Sequence, residues 1–338
     1  RTGDARSNHS RNMTAPKFQG TPFASRLLRH AMRDRALRET GSPDSRTSPM
    51  LRHWRDGIHP WVREETERHV QETGLRLHGY VAALNSSMAF GFNLFMPLRV
   101  HDPSPLARLL GKALGFNVQV SDVEFEFQGP TGVLAECAGE RPTAHEKFTA
   151  SDVAVHVTDD AGRVGIVLIE IKLTEGGFTP CGGADSSANR RKDVCGSAAQ
   201  FFTEPDACYL RRTRHASRDR RYWSILEAAH GSVRAAFPGY SGDACPFVGD
   251  FQQPMRNHAL ALGLLQSGEV GFVAFGLVHH PDNHHVVEPW RRYCDMVADP
   301  SMLFRIPADH LLDTCEQVRG EWPAWAAYMR ARYMIAGR

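Results

Sequence analysis

The stretch SDVAVHVTDDAGRVGIVLIEIKLTE, residues 151–175, consists of two apolar runs around a polar, glycine-containing centre. Val153, Val155 and Val157 alternate with Ala154, His156 and Thr158, the period of a strand. Asp159-Asp160-Ala161-Gly162 reads as a tight connection, and Val164 opens a second, β-branched run that ends at Ile171. A hairpin turning about Ala161 opposes residues whose numbers sum to about 322, which sets Asp152 against Glu170. Lys172 lies two residues beyond Glu170 and therefore on the same face. Opposed side chains in a hairpin sit roughly 4.5–5.5 Å apart at Cβ. Two carboxylates held that close repel each other unless something positive lies between them. A divalent cation such as Mg²⁺, which prefers hard oxygen ligands, suits that position.

An aspartate followed by Glu-x-Lys at the end of an apolar strand resembles the PD-(D/E)xK nuclease superfamily, the restriction-endonuclease-like fold, with Asp152, Glu170 and Lys172 as the matching residues. The wording IEIKLTE at 169–175 and a later FQQPMRN at 251–257 extend the resemblance towards a bacterial branch with a cysteine-bearing insert. Ser151 stands where a proline is expected before the aspartate. The resemblance implies a nuclease that hydrolyses DNA phosphodiesters with Mg²⁺ or Mn²⁺ held by Asp152 and Glu170. Lys172 would orient or activate the water and stabilise the transition state. A further acid comes from Glu124 or Glu126, with Glu124 preferred. Gln253 and Arg256 would bind substrate, Arg256 through the phosphate backbone, and Asn257 belongs to the same motif. The competing reading of the triad is an exposed hairpin with a surface Glu–Lys pair. The apolar run before Glu170 argues instead for a central strand, where charge needs a reason.

The rest of the chain agrees with an α/β fold. Residues 105–114 carry leucines at helical spacing between Pro105 and Gly115. Residues 117–128 alternate as a strand, with Val123, Phe125 and Phe127 on one side and Glu124 and Glu126 on the other. After the hairpin, 254–265 reads as a helix opened by Pro254, and 270–278 as a buried strand. Helix, three strands, helix, strand is the α-β-β-β-α-β core order of the resembled superfamily. Around it we expect a disordered tail at 1–20, a helical N-terminal region at 21–84, the nuclease core at 85–280 and a helical C-terminal region at 281–338. Helical patterns fall at 24–38, 62–73, 308–318 and 322–334, and the segment 85–98 is apolar enough to be core. Trp322, Trp325, Tyr328 and Tyr333 read as packing aromatics. His279, His280, His284 and His285 flank Pro281-Asp282-Asn283 and read as a solvated loop.

Residues 176–250 interrupt the core and hold Cys181, Cys195, Cys208 and Cys245. No CxxC pair occurs, so this is no zinc ribbon by spacing. Distant superfamily relatives pin such an appendage with four cysteines, which implies a [4Fe–4S] cluster or Zn²⁺ here; unliganded buried thiols are the other reading. Cys137, Cys294 and Cys315 stand apart and read as core. An interruption this long is no passive loop. Its apolar material, Tyr209, Tyr222, Trp223, Ile225 and Leu226, looks thin, so the segment needs a small core of its own or a tie.

Net charge is only +2, which announces no nucleic-acid binder. Between Arg190 and Arg221, however, nine Lys and Arg stand against four acids, a stretch that suits phosphates or simply a solvated face. No apolar run is long enough for a membrane span, and the N-terminus has no signal-peptide core. Seven cysteines without a scaffold spacing fit a reducing cytoplasm. No GxxxxGK[ST] encodes a nucleotide-driven motor. We therefore expect a cytoplasmic, Mg²⁺-dependent deoxyribonuclease of restriction, defence or repair, with DNA as partner and homodimerisation open to it. The alternatives are a non-catalytic nucleic-acid-binding module of the same fold and a cysteine-site structural protein.

Overall fold

Alternation of the valines makes residues 151–159 a strand, β2 (Ser151–Asp159), which turns back on itself as β3 (Val164–Lys172). The turn is closed locally. Asp159 Oδ1 accepts from the Ala161 and Arg163 amides, Oδ2 accepts from Arg163 Nε, and Gly162 takes φ 77°. That conformation favours glycine. Pairing runs from Val153↔Ile169 to Thr158↔Val164, the register expected from the sequence. The computed structural model describes residues 21–42, 47–136, 148–211 and 219–337, so the expected tail at 1–20 and Cys137 lie outside the described residues.

Three more strands complete a mixed sheet of order β1-β2-β3-β4-β5. β1 (Val118–Phe127) runs antiparallel to β2, while β4 (Phe272–His279) and β5 (Leu303–Pro307) continue the sheet in parallel with β3. β4 is buried along its whole length and β3 beyond its first residue, as expected of parallel strands covered on both faces. The element order through the centre is the helix Ser104–Leu114, β1, β2, β3, the helix Gln252–Gln266 and β4. β5 was not foreseen; the sequence analysis gave its residues to a helical C-terminal region.

Two apolar layers cover the sheet. On one face Val153, Val155, Val167 and Ile169 meet the helices Ser87–Val100, Ala308–Glu316 and Trp322–Tyr333, together with Phe23 and Leu27 of the first helix, Pro22–Thr40. Asn93, fully buried in the Ser87–Val100 helix, ties the outer segments together. Its Oδ1 accepts from the His59 amide at 2.7 Å, and its Nδ2 donates to Gly57 O and Tyr333 Oη, both at 2.9 Å. Trp325 Nε1 donates to its carbonyl. Trp322, Trp325 and Tyr333 are buried in this layer.

On the other face Ile166, Leu168, Phe275 and Leu277 meet the Gln252–Gln266 helix, the helix Val287–Met296 and the segment 176–250. The apolar content of that segment is not thin. Phe201, Phe237 and Phe247 gather around Trp223, whose ring stacks on Phe247 with centroids 5.4 Å apart. These phenylalanines are scattered among glycines and polar residues, so no window of sequence shows them together. The segment shares one continuous core with the sheet.

The histidine cluster also differs from its reading as a solvated loop. His279 and His280 are buried at the end of β4; His280 Nε2 donates to Tyr333 O and His280 Nδ1 accepts from the Asp282 amide. Only His284 and His285 are exposed. His258 is buried as well, 2.9 Å from Tyr293 Oη, and burial followed by the charge of His230 pushes its pKa down to about 4. Its ring is neutral in the fold and protonates first in the unfolded chain. Its contribution is therefore complete above the ordinary histidine value and is lost as pH falls from 6.5 towards 4. A change of that size is worth about 3 kcal/mol. Denaturant titrations of wild type and His258→Gln across this window should show a shallower acid slope in the variant. Among the described residues no helix is long and apolar enough to cross a membrane.

Candidate active site

Asp152 sits near the start of β2 and Glu170 near the end of β3, one position beyond the last paired residues, Val153 and Ile169. Asp152 Oδ2 accepts from the Ile171 amide at 2.6 Å, which fixes the carboxyl against β3. Glu170 is 1% exposed. Its Oε1 accepts from Gln253 Nε2 at 2.6 Å and Lys172 Nζ at 2.9 Å, and its Oε2 accepts from Asn257 Nδ2 at 2.8 Å. Lys172 also donates to Gln253 Oε1 at 3.0 Å and lies 5.4 Å from the centre of the Phe178 ring. Gln253 and Asn257 are four residues apart on one helix, so both amides face the strand ends together. The structure thus brings Asp152, Glu170, Lys172 and Gln253 to one place.

Glu124 is not with them. Its Oε1 lies 2.9 Å from His156 Nε2, and its side chain is 44% exposed. Glu126 is the acid that the structure turns inward. It falls between the paired positions Phe125↔Val153 and Phe127↔Ser151, level with Asp152, and takes φ 51°. In a flat strand Glu124 and Glu126 share a face; the left-handed backbone at Glu126 breaks that equivalence. Glu126 and Asp152 line a narrow cavity with Ser87, Met88, Gly91 and Ile171. Gly91 lets the Ser87–Val100 helix come down on this cavity, because a Cβ there would meet Ile171 Cδ1 at 2.8 Å. Neither Glu126 as the inward acid nor Gly91 was singled out from the sequence.

Electrostatically the three carboxyls crowd one another. Burial, then Glu170, raises the pKa of Glu126 to about 7. Burial, then Glu170 and Glu126, holds Asp152 well above the usual carboxylate range, with Lys172 and the Ile171 amide opposing. Burial would lower the pKa of Lys172, but Glu170, Glu175 and Asp152 hold it above its ordinary value. Among the described residues no group of three or more His, Cys, Asp or Glu stands as a preformed metal cage.

Arg256 departs from its expected role. Its Nε donates to Thr149 Oγ1 at 2.8 Å and its Nη2 to Glu136 Oε1 at 3.4 Å. Glu136 in turn accepts from the Thr149 amide, Thr149 Oγ1 and Tyr222 Oη. This network clamps the Gln252–Gln266 helix to the chain on both sides of 137–147 and to the 176–250 segment. The basic stretch is also partly paired, Arg191 with Asp193 and Glu204, and Arg211 with Asp206 and Asp219. Arg212, Arg214 and Arg218 lie outside the described residues.

The four cysteines of the 176–250 segment are all free thiols. The Cys245 amide donates to Cys195 O at 3.0 Å, and Asn189 Nδ2 donates to Cys195 Sγ at 3.4 Å and to Gly183 O. A Cβ on Gly183 would meet Tyr209, the neighbour of Cys208, at 3.0 Å and Cys181 Sγ at 3.4 Å. Segments far apart in sequence therefore bring the four thiols within electrostatic reach. Burial, then Cys181 and Cys195, raises the pKa of Cys208 to about 12 against its backbone hydrogen bonds. Burial, then Cys208, Cys181 and Cys195, pushes Cys245 up as well.

A family model described as Restriction Endonuclease associating with ARP matches residues 22–334. No curated protein and no solved structure matches the chain.

Proposed function

The chain belongs to the family of restriction endonucleases associating with ARP, and from that premise we propose that it is a divalent-metal-dependent nuclease. It cleaves DNA phosphodiesters at Asp152, Glu170 and Lys172, with Glu126 as the further acid. The observation that carries this reading is the crowding of three carboxyls at the strand ends, with Asp152 and Glu126 both raised by burial and by Glu170, beside a buried lysine. Hard carboxylate oxygens under mutual repulsion fit Mg²⁺ or Mn²⁺, and Asp152 and Glu170, with Glu126 beside them, would hold the ion. Bound there, it would supply Lewis acidity towards the attacking water and the phosphoryl oxygens.

The remaining work falls to the chain's own groups. Lys172, bonded to Glu170 and Gln253, presents its ammonium to charge that develops on the phosphate. Gln253 holds both reacting partners through one amide, its NH₂ on Glu170 and its oxygen on Lys172. The four cysteines we assign to a tetrathiolate centre holding Zn²⁺ or [4Fe–4S], because segments far apart in sequence are bonded to each other around them.

Plasmid and single-stranded DNA, incubated with Mg²⁺ or Mn²⁺ and with a chelator control, test the reading. Cleavage should require the metal. Glu126→Gln should lose cleavage by about 10²-fold, while Glu124→Gln stays within a few-fold of wild type. Loss of cleavage in Glu124→Gln with Glu126→Gln near wild type would return the further acid to Glu124. Metal-independent DNA binding with no cleavage in any condition would favour the non-catalytic module.

A further inference from the structure

On the side of the Ser87–Val100 helix away from the strand ends, five arginines converge. Arg35, Arg38, Arg52, Arg63 and Arg332 line one cavity of about 530 Å³, within the roughly 300–1,000 Å³ usual for small-molecule sites. Glu39 and Asp56 are the acids on its wall, so cations outnumber anions by five to two. The arginines come from separate elements: the first helix, the 51–63 segment and the C-terminal helix. Such a collection repels itself unless something compensates it.

What holds these arginines is largely uncharged. Arg35 gives its Nε to Glu39 but its Nη1 to the carbonyls of Ser48 and Met50. Arg63 gives Nε and Nη2 to the carbonyl of Ile58. Arg332 donates from Nη1 to Tyr328 Oη and lies over the Tyr328 and Tyr333 rings, and its Nε is buried without a hydrogen-bond partner. Arg38 pairs with Asp34, while Arg52 is exposed on the cavity wall. The positive potential is felt by a bystander. The pKa of His59 is lowered by its burial and then by Arg63 and Arg332.

We propose that this cleft is a second ligand site, separate from the strand-end carboxyls, that takes a phosphate-bearing anion. Guanidinium groups present planar, paired donors that match phosphate oxygens, and the half-buried Tyr328 ring adds an aromatic surface to the wall. The phosphate can come from a free nucleotide or from the backbone of a DNA strand. The cleft also bears on the candidate active site. Gly57, next to Asp56 on its wall, accepts at its carbonyl from Asn93 Nδ2, and a Cβ on Gly57 would lie 3.6 Å from Arg332 Nη2 and 3.9 Å from Ala89 Cβ. Two residues along the same helix from Asn93, Gly91 covers Ile171. The cleft wall is therefore tied, through Gly57 and Asn93, to the helix that roofs Asp152.

The test uses the full chain, without metal and with chelator present, so that it does not depend on cleavage. Fluorescence anisotropy follows a fluorescent adenosine triphosphate analogue and, separately, a short labelled oligonucleotide, for wild type, Arg52→Glu and Arg38→Glu. Both arginines are at the surface, so circular dichroism and melting should match wild type. Loss of a charged phosphate contact should weaken binding about tenfold. Weakening of the triphosphate identifies a nucleotide site, and weakening of the oligonucleotide alone identifies a DNA-backbone site. Binding of both probes unchanged by both reversals, or no binding of either by wild type, overturns the proposal while leaving the nuclease reading to its own assay.

Discussion

Lys172→Ala should reduce cleavage by on the order of 10²–10³-fold, the usual loss when a charged transition-state contact is removed. It should also weaken the fold, because the side chains of Lys172 and Glu170 are 7% and 2% exposed and form a buried pair. Breaking such a pair by removing one partner leaves an uncompensated charge and costs about 3–5 kcal/mol. Glu170→Gln should lose cleavage to the same degree with much less effect on stability. The new amide still accepts from Gln253 and Lys172, Asn257 can turn its carbonyl to meet the new NH₂, and one of three crowded carboxylates is gone. Single-turnover cleavage and thermal melting of the two variants side by side separate these effects. Cleavage at wild-type rate by Lys172→Ala would remove the lysine from the chemistry. Equal melting temperatures for both variants would show that the pair is not the buried charge compensation described here.

Protein purified without oxygen should carry either about one Zn²⁺ or about four iron atoms per chain. Cys195→Ser or Cys208→Ser should lose that content and lower folded yield and DNA binding together. A metal centre that forms only in the folded chain contributes its binding free energy to folding. The cluster of Phe201, Trp223, Phe237 and Phe247 gives the 176–250 segment an apolar anchor of its own, so the serine variants should melt earlier without unfolding outright. Elemental analysis with calorimetric melting decides the matter. Metal-free wild type of full stability, in which each serine variant behaves alike, would leave four buried thiols and no centre.

The hairpin and its triad were legible because two local signals agreed: period-two alternation fixed the faces, and Asp159 to Gly162 fixed the turn and hence the register. The central helices followed from their proline and glycine boundaries. The choice between Glu124 and Glu126 was not legible. It depends on a left-handed φ at a glutamate, for which the flanking residues give no sign. Arg256 was misplaced for a different reason. Its carboxylate partner, Glu136, is 120 residues away in the chain, beyond any spacing argument. β5 is too short to show a period, and the buried state of His279 and His280 depends on Tyr333 and Arg305, which arrive from the C-terminal region.

The parallel pairing of β3 with β4 has a kinetic consequence. Antiparallel β1, β2 and β3 are neighbours in sequence and can zip together early, whereas β4 joins only after the whole chain between Lys172 and Phe272 has been spanned. Closing that distance is entropically slow, and the contacts that reward it come late. Gln253 and Asn257, which hold Glu170 and Lys172 in place, lie near the far end of the same span. During synthesis the carboxyls and the lysine are therefore aligned only once the chain has emerged past Asn257 and β4. Pulse-labelled hydrogen exchange during refolding should protect the β2–β3 amides well before those of β4.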